Sequence, residues 1–314
     1  MKKAIITGPT GAIGHALIDE CIKNQVEVYA LCHPGSKRVE GFPSNNLLHV
    51  VYVDLSQLLD VRSMLPEDID TFYHLGWTGT FGDARNDMYL QNYNVTYALD
   101  AVELARCCGC RTFVGAGSQA EYGRFEGKLR PDTPAFPENG YGIAKLCAGE
   151  MTRIQAHKYG IKHIWARILS VYGPYDRKET MVMSTIIKLL HGKKPSFTKG
   201  GQIWDYLYAK DAGGILFSLG GDKSINGKIY CLGSGVAKPL KEYIEGIRDS
   251  IDPNLPVGLG ERPYPPEQVM YLCADNTDII DDLGYKYRYS FEKGIKETVE
   301  WYKNMMNGSL GTFL

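Results

Sequence analysis

Tyr141 and Lys145 stand four residues apart in Tyr141-Gly142-Ile143-Ala144-Lys145, at the start of a helical pattern, so both side chains project from one face. A free phenol titrates near ~10, too high for efficient proton exchange at neutral pH. A neighbouring ammonium stabilises the phenolate and lowers that value, which makes Tyr141 a general acid/base and Lys145 its electrostatic tuner. The spacing alone is common on protein surfaces. What sharpens it is Ser118, which lies 23 positions upstream in the stretch Gly115-Ala116-Gly117-Ser118-Gln119-Ala120-Glu121-Tyr122-Gly123. That stretch follows Arg111-Thr112-Phe113-Val114, whose apolar part reads as a buried strand. Small residues let a strand end approach a ligand or another backbone closely. A serine in that place does not follow from packing.

The elements that must position these three residues alternate along the chain. Apolar runs at 4–7, 26–31, 47–54, 70–75, 112–117 and 161–168 read as strands. Helical patterns fall between them at about 13–23, 57–65, 86–107 and 142–159. This alternation predicts an α/β fold, a doubly wound parallel sheet of Rossmann type, with its ligand site at the carboxyl ends of the strands. After Tyr172-Gly173-Pro174 the pattern loosens into helices and short irregular pieces, which predicts a smaller, mixed C-terminal lobe. The expected division is a dinucleotide-binding domain of 1–172 with returning segments at about 203–233, and a substrate lobe of about 173–202 and 234–314.

The first strand ends in Thr7-Gly8-Pro9-Thr10-Gly11-Ala12-Ile13-Gly14 and opens a helix. Glycines spaced by three allow a tight turn, close approach of backbone to a pyrophosphate and close packing of the helix, whose N-terminus favours negative charge. This placement, between the first strand and the first helix of a βαβ unit, predicts dinucleotide binding. After the second strand comes Cys32-His33-Pro34-Gly35-Ser36-Lys37-Arg38. A free ribose 2′-hydroxyl is usually held by a carboxylate near here, whereas a 2′-phosphate wants cations and hydroxyls. The turn has no acid, so the expected cofactor is NADP, with NAD as the alternative, and His33, Ser36 and Arg38 are candidate contacts.

The Thr-Gly-x-x-Gly-x-x-Gly spacing, with Ser118, Tyr141 and Lys145 following in order, resembles the short-chain dehydrogenases/reductases. The segments 166–174, 200–211 and 274–302 are similar to those of the extended members that act on nucleotide sugars, the NAD-dependent epimerase/dehydratase type, so the resemblance covers essentially the whole chain. It implies that Ser118 holds the substrate carbonyl or hydroxyl beside Tyr141, and that Lys145 also donates to the ribose. Asp54 and Leu55 resemble the position that meets the adenine, and Leu75-Gly76 the strand that passes beside the cofactor. Asn94 matches an asparagine of the fourth-helix motif, where a helix–strand brace is the plainer role. Candidate substrate contacts are Trp77, Gln119, Arg177, Trp204 and Arg262. The two arginines are expected to take the diphosphate, since a fork of donors suits that group. The chain departs from the family where Ser170 replaces an asparagine and Trp204 an arginine, which leaves the sugar-nucleotide contacts open.

The resemblance also sorts the reactions. A 4,6-dehydratase needs an additional acid and base, supplied in the family by Asp-Glu directly after the Ser/Thr. Here Gln119-Ala120 stand in those places and neither exchanges a proton, which argues against dehydration. Reduction of a 4-keto-sugar and 4-epimerisation remain, and the acid-free turn at 33–38 favours reduction. A cofactor-binding regulator on the same fold is the alternative of another class, and the intact Ser118, Tyr141 and Lys145 argue against it. The resemblance implies a homodimer through the helices at 86–107 and 142–159.

Bulk properties narrow the partners. Lys and Arg together number 35 against 36 Asp and Glu, so no whole-protein field draws nucleic acid or anionic membrane. No apolar run approaches the ~20 residues of a membrane span. The start, MKKAIITG, has two lysines before a short apolar stretch that runs into glycines, unlike a signal peptide. The chain is therefore expected to be cytoplasmic, with a nucleotide-sugar substrate as its partner. Eight cysteines are expected as free thiols, and Cys107-Cys108-Gly109-Cys110 lacks a second ligand cluster, so no metal is expected.

Overall fold

The computed structural model describes residues 1–308; the last six positions of the expected substrate lobe lie outside the described residues. The chain runs β1 (Lys3–Thr7), α1 (Ala12–Lys23), β2 (Glu27–Cys32), β3 (Leu48–Tyr52), β4 (Thr71–His74), α2 (Met88–Cys107), β5 (Thr112–Ser118), α3 (Gly140–Lys158) and β6 (Lys162–Ile168). It continues with β7 (Ser170–Tyr172), α4 (Met181–Leu190), β8 (Ile203–Trp204), β9 (Tyr206–Tyr208), α5 (Ala209–Gly221) and β10 (Lys228–Leu232). The last elements are β11 (Lys238–Pro239), α6 (Leu240–Asp249), α7 (Thr277–Leu283) and α8 (Phe291–Met306).

Seven strands form one sheet in the order β10-β6-β5-β4-β1-β2-β3, with every pairing parallel. Parallel strands are buried on both faces, which is why β4 and β5 are buried at every position rather than at alternate ones. One apolar layer packs α1 and α5 on the sheet through Leu17, Ile18, Ile215 and Leu216. The other face carries Ala101, Val102 and Leu104 of α2 with Leu58 and Val61. The chain winds outward from β1 to β3, then crosses back to β4, so the strand order reverses between β1 and β4. In such sheets a crevice opens at the carboxyl ends beside that reversal.

A helix is expected around 57–65, but the chain instead makes 3-10 turns over Leu55–Met64, with a kink at Gln57. Asp54 caps its first turn, accepting from the Ser56 main-chain N–H at 2.9 Å and from its hydroxyl at 2.6 Å. Past Tyr172, Met183 and Ile186 of α4, Ile247 of α6 and Ile295 and Val299 of α8 bury together in a separate apolar cluster. Two short pairings accompany it, β7 with β9 and β8 with β11.

Candidate active site at the carboxyl ends of the strands

The loop after β1 has the backbone its glycines require. Gly8 lies at φ +65°, and a Cβ there would stand 2.7 Å from the Gly76 nitrogen. A Cβ at Gly14 would stand 2.5 Å from the Pro9 carbonyl, so the first turn of α1 rests directly on the loop. Gly11, the N-cap of α1, brings no side chain to the helix N–H groups, and a Cβ there would meet nothing closer than 3.9 Å. Free N–H groups facing uncrowded space fit a diphosphate. Thr7 braces this strand to β4: its hydroxyl accepts from Gly76 N–H at 3.1 Å and pairs with His74 Nδ1 at 3.0 Å. Burial lowers the His74 imidazole to about 3, so it stays neutral.

Beyond β2, His33 is exposed and its Nε2 stands 3.4 Å from an Asp54 carboxylate oxygen. Hydrogen bonds from Ser56 hold that carboxyl below its usual range. Ser36 closes the turn with a main-chain bond to the His33 carbonyl. Arg38 is turned toward the segment after β7 and donates to the Tyr175 carbonyl, while its Nε is buried without a partner. Tyr175 is locked in place although its φ of 64° favours glycine. Its ring stacks on His15 at 3.5 Å and its hydroxyl donates to the Gly41 carbonyl at 3.1 Å.

The three residues expected to react converge. Ser118 ends β5, Tyr141 and Lys145 lie on α3, and all three line one cleft of about 260 Å³. The same wall carries Gly8, Gly11, Ile13 and Gly14 from the loop, and Leu75, Trp77 and Thr80 from the segment after β4. Helix α3 is set there by Asn139, whose side chain caps it through Gly142 N–H at 2.9 Å, and by a bond from Gly140 N–H to Asn86. Gly142 sits so close to the turn after β5 that a Cβ would fall 2.2 Å from the Ala120 carbonyl.

Burial raises the Tyr141 phenol, while a hydrogen bond from Ser118 and the Arg85 guanidinium pull it back down. Arg85 stands 4.3 Å from the centre of the Tyr141 ring and Lys145 Nζ 5.9 Å. Of these two cations Arg85 stands closer to the ring centre and is the one that lowers the phenol, and the sequence pattern does not point to it. Lys145 donates to the Ala116 carbonyl at 2.6 Å and lies 3.8 Å from the centre of the Trp77 ring. Its burial lowers the ammonium to about 7. Trp77 is held from behind by Gln91 at 2.9 Å, and Asn94 grips both polar atoms of the Thr78 main chain, the brace expected of it.

The other expected substrate contacts are dispersed. Arg177 is exposed and reaches the rim, donating to the Thr80 hydroxyl at 3.3 Å. Trp204 donates to the Ser170 hydroxyl at 2.8 Å, so the two positions that depart from the family pattern are bonded to one another. Gln119 is half-buried in the turn after Ser118, and Arg262 is exposed, with its main-chain N–H bonded to the Phe197 carbonyl. Of the five expected substrate contacts Trp77 lines the cleft, whereas Arg177, Gln119, Trp204 and Arg262 are absent from its wall. Three residues from Ser118, Glu121 is fully buried; its Ser-x-x-Glu spacing is a capping-box signal visible in the sequence.

Among the described residues, no three His, Cys, Asp or Glu side chains converge as metal ligands, and no helix is long and apolar enough to cross a membrane. The eight cysteines are free thiols.

A profile described as the NAD dependent epimerase/dehydratase family matches residues 4–233. The dTDP-glucose 4,6-dehydratase of Escherichia coli is 30% identical over 187 residues, 56% of this chain and 50% of that one. The chain thus spans about half the length of the first relatives it matches. The dTDP-glucose 4,6-dehydratase of Neisseria meningitidis serogroup B is 24% identical and aligns over 98% of this chain and 97% of its own. Among solved structures, a UDP-N-acetylglucosamine 4-epimerase from Methanobrevibacter ruminantium M1, in complex with UDP-N-acetylmuramic acid, superposes with a TM-score of 0.88 at 21% identity. That likeness covers 97% of this chain and 99% of the other, and shows a shared fold.

Proposed function

The chain belongs to the NAD dependent epimerase/dehydratase family, and from that premise we propose that it is an oxidoreductase of nucleotide-activated sugars that reduces a 4-keto-sugar. The observation that carries this reading is the convergence of Ser118, Tyr141 and Lys145 on one cleft together with the glycine loop. The loop and the N-terminus of α1 take the diphosphate of the cofactor, and Lys145 its ribose hydroxyls. The bound nicotinamide supplies the hydride. Ser118 orients the sugar oxygen by hydrogen bonding, and Tyr141 donates a proton to that oxygen as general acid. Gln119 and Ala120, which cannot exchange protons, support a reaction without loss of water. Arg177, Trp77, Gln119, Trp204 and Arg262 are proposed to contact the substrate, with the segments 173–202 and 234–314 as its lobe.

The acid-free turn at 33–38 supports NADP as the cofactor. A second reading, NAD-dependent 4-epimerisation, is favoured by one observation: Arg38 is already engaged with the Tyr175 carbonyl rather than free for a 2′-phosphate. The mass of the co-purifying cofactor, together with NADPH oxidation at 340 nm against a panel of nucleotide 4-keto-sugars, separates the two. Tightly held NAD and interconversion of 4-epimers without net oxidation of NADPH would replace reduction by epimerisation. Neither activity, with cofactor still retained, would favour a cofactor-binding regulator.

A cytoplasmic homodimer completes the proposal. Helices α2 and α3 expose Tyr89, Tyr93, Ile143, Met151 and Ile154, an apolar surface that supports pairing of two copies through these helices.

A further inference from the structure

Glu121 is a carboxylate with no access to solvent (0% exposed), and it lies three residues from Ser118. One of its oxygens accepts from the Ser118 main-chain N–H at 2.7 Å and from Trp165 Nε1 at 3.0 Å. The other accepts from Arg167 Nε at 2.6 Å and from the same indole at 3.2 Å. Every partner is a donor, an arrangement that suits the ionised carboxylate on both oxygens. Arg167 is itself buried at 3% exposure, with its guanidinium 4.5 Å from the centre of the Tyr122 ring. Burial pushes the Glu121 carboxyl up, against the pull of Arg167 and the two N–H donors.

This network underlies the reactive set on two sides. A Cβ at Gly117 would stand 2.5 Å from Glu121 Oε1 and 2.4 Å from Trp165 Nε1, so the strand end that presents Ser118 lies directly on the network. Helix α3 rests on the same parts, with Gly142 against the Ala120 carbonyl and Gly149 against the Trp165 indole, where a Cβ would come within 2.8 Å. Breaking a buried charge pair by removing one partner is strongly destabilising, which makes such a pair a stiff support but an expensive one.

We propose that Glu121 is a positioning residue: clamped by Arg167 and Trp165, it holds the Ser118 main chain and fixes the floor on which Tyr141 and Lys145 are carried. The inference rests on Ser118, Tyr141 and Lys145 as the reacting set. Its charge acts on both α3 residues: it adds to burial in raising the Tyr141 phenol and opposes burial at the Lys145 ammonium. The remaining titratable groups near Glu121 are Tyr122 on its own turn and Cys231 on β10. Across a small adjoining cavity stand Glu150 and Arg153 of α3, His163 of β6 and Lys228 of β10.

The test uses the full chain as Glu121→Gln, together with the double variant Glu121→Gln/Arg167→Met, which removes the orphaned cation should the single variant not fold. The expected result is a folded protein that binds cofactor within about twofold of wild type while kcat falls roughly 10²-fold at little change in KM, the scale of a 1 Å misplacement. A second readout needs no substrate: the pH profile of Lys145 acetylation by trace acetic anhydride, followed by mass spectrometry, is expected to shift to lower pH in both variants. A folded variant with wild-type kcat, or with an unmoved Lys145 profile, overturns the proposal. If the wild type turns over no nucleotide sugar, the functional reading fails, and the labelling profile still decides the role of Glu121.

Discussion

Replacing Gly142 by alanine probes how closely the tyrosine helix must approach the serine turn. The added methyl would lie 2.2 Å from the Ala120 carbonyl oxygen, a main-chain atom, and 3.0 Å from Cβ of Pro137. Ordinary contact begins near 3.4 Å, so the first turn of α3 must withdraw by 3.4 − 2.2, about 1.2 Å, or the turn after Ser118 must give by the same amount. Overpacking of this kind costs about 1–3 kcal/mol, offset in part by the roughly 1 kcal/mol that alanine gains over glycine in a helix. The net loss of stability is therefore expected at about 0–2 kcal/mol, toward the upper end because the atom that must give is main chain. Catalysis should not be spared, because the displacement lies between the Ser118 hydroxyl and the Tyr141 phenol, and misplacing reacting groups by about 1 Å costs on the order of 10²-fold. The assay is kcat and KM on the nucleotide sugar that the wild type turns over, with cofactor affinity by fluorescence and a thermal melt. Gly221→Ala, where a Cβ meets nothing within 4 Å, is the control and should behave as wild type. A folded Gly142→Ala protein with wild-type kcat would refute the reasoning.

The buried Lys145 gives a signed pH prediction. Its folded value is about 7, below the ~10.4 of an unfolded lysine, so between these limits the unfolded chain binds a proton that the folded one lacks. Stability of the wild type from this group is flat below about 7 and rises with pH above it. Lys145→Met should thus melt above wild type at or below neutral pH, with the gap closing toward pH ~10; a gap independent of pH would contradict this. Arg85→Met removes the cation 4.3 Å from the Tyr141 ring, and a contact of this kind contributes about 0.5–2 kcal/mol. The pH–rate profile should move to higher pH and kcat should drop up to roughly thirtyfold, whereas an unmoved profile would refute a role for Arg85 in tuning the phenol. Ile154→Glu places a charge on the apolar face of α3, at a residue 64% exposed. Sedimentation equilibrium should show its dimer weakened at least tenfold relative to wild type, and equal dimerisation would direct attention to another face.

What the sequence determined by itself is what depends on neighbours along the chain. The glycine loop is legible because Gly8 adopts a positive φ and Gly14 lies against the Pro9 carbonyl five positions before it, both within one short stretch of chain. The four-residue spacing from Tyr141 to Lys145 puts both on one cleft because α3 is regular, and the alternation of strand and helix is enough to predict a parallel sheet. The helix expected around 57–65 is instead a run of 3-10 turns, because the main chain leaves helical geometry at Gln57, a departure that apolar spacing does not register. Tertiary structure alone decided the pairings between distant residues. Arg38 meets Tyr175 from 137 positions away, Trp204 bonds the Ser170 that also departs from the family pattern, and Glu121 finds Arg167 across two strands. It also set the charges: burial, not residue type, brings Lys145 to about 7, and the fold places Arg85 nearer than Lys145 to the centre of the Tyr141 ring. Desolvation and long-range contact are properties of the folded volume, and a linear pattern carries them only where the contact is also local.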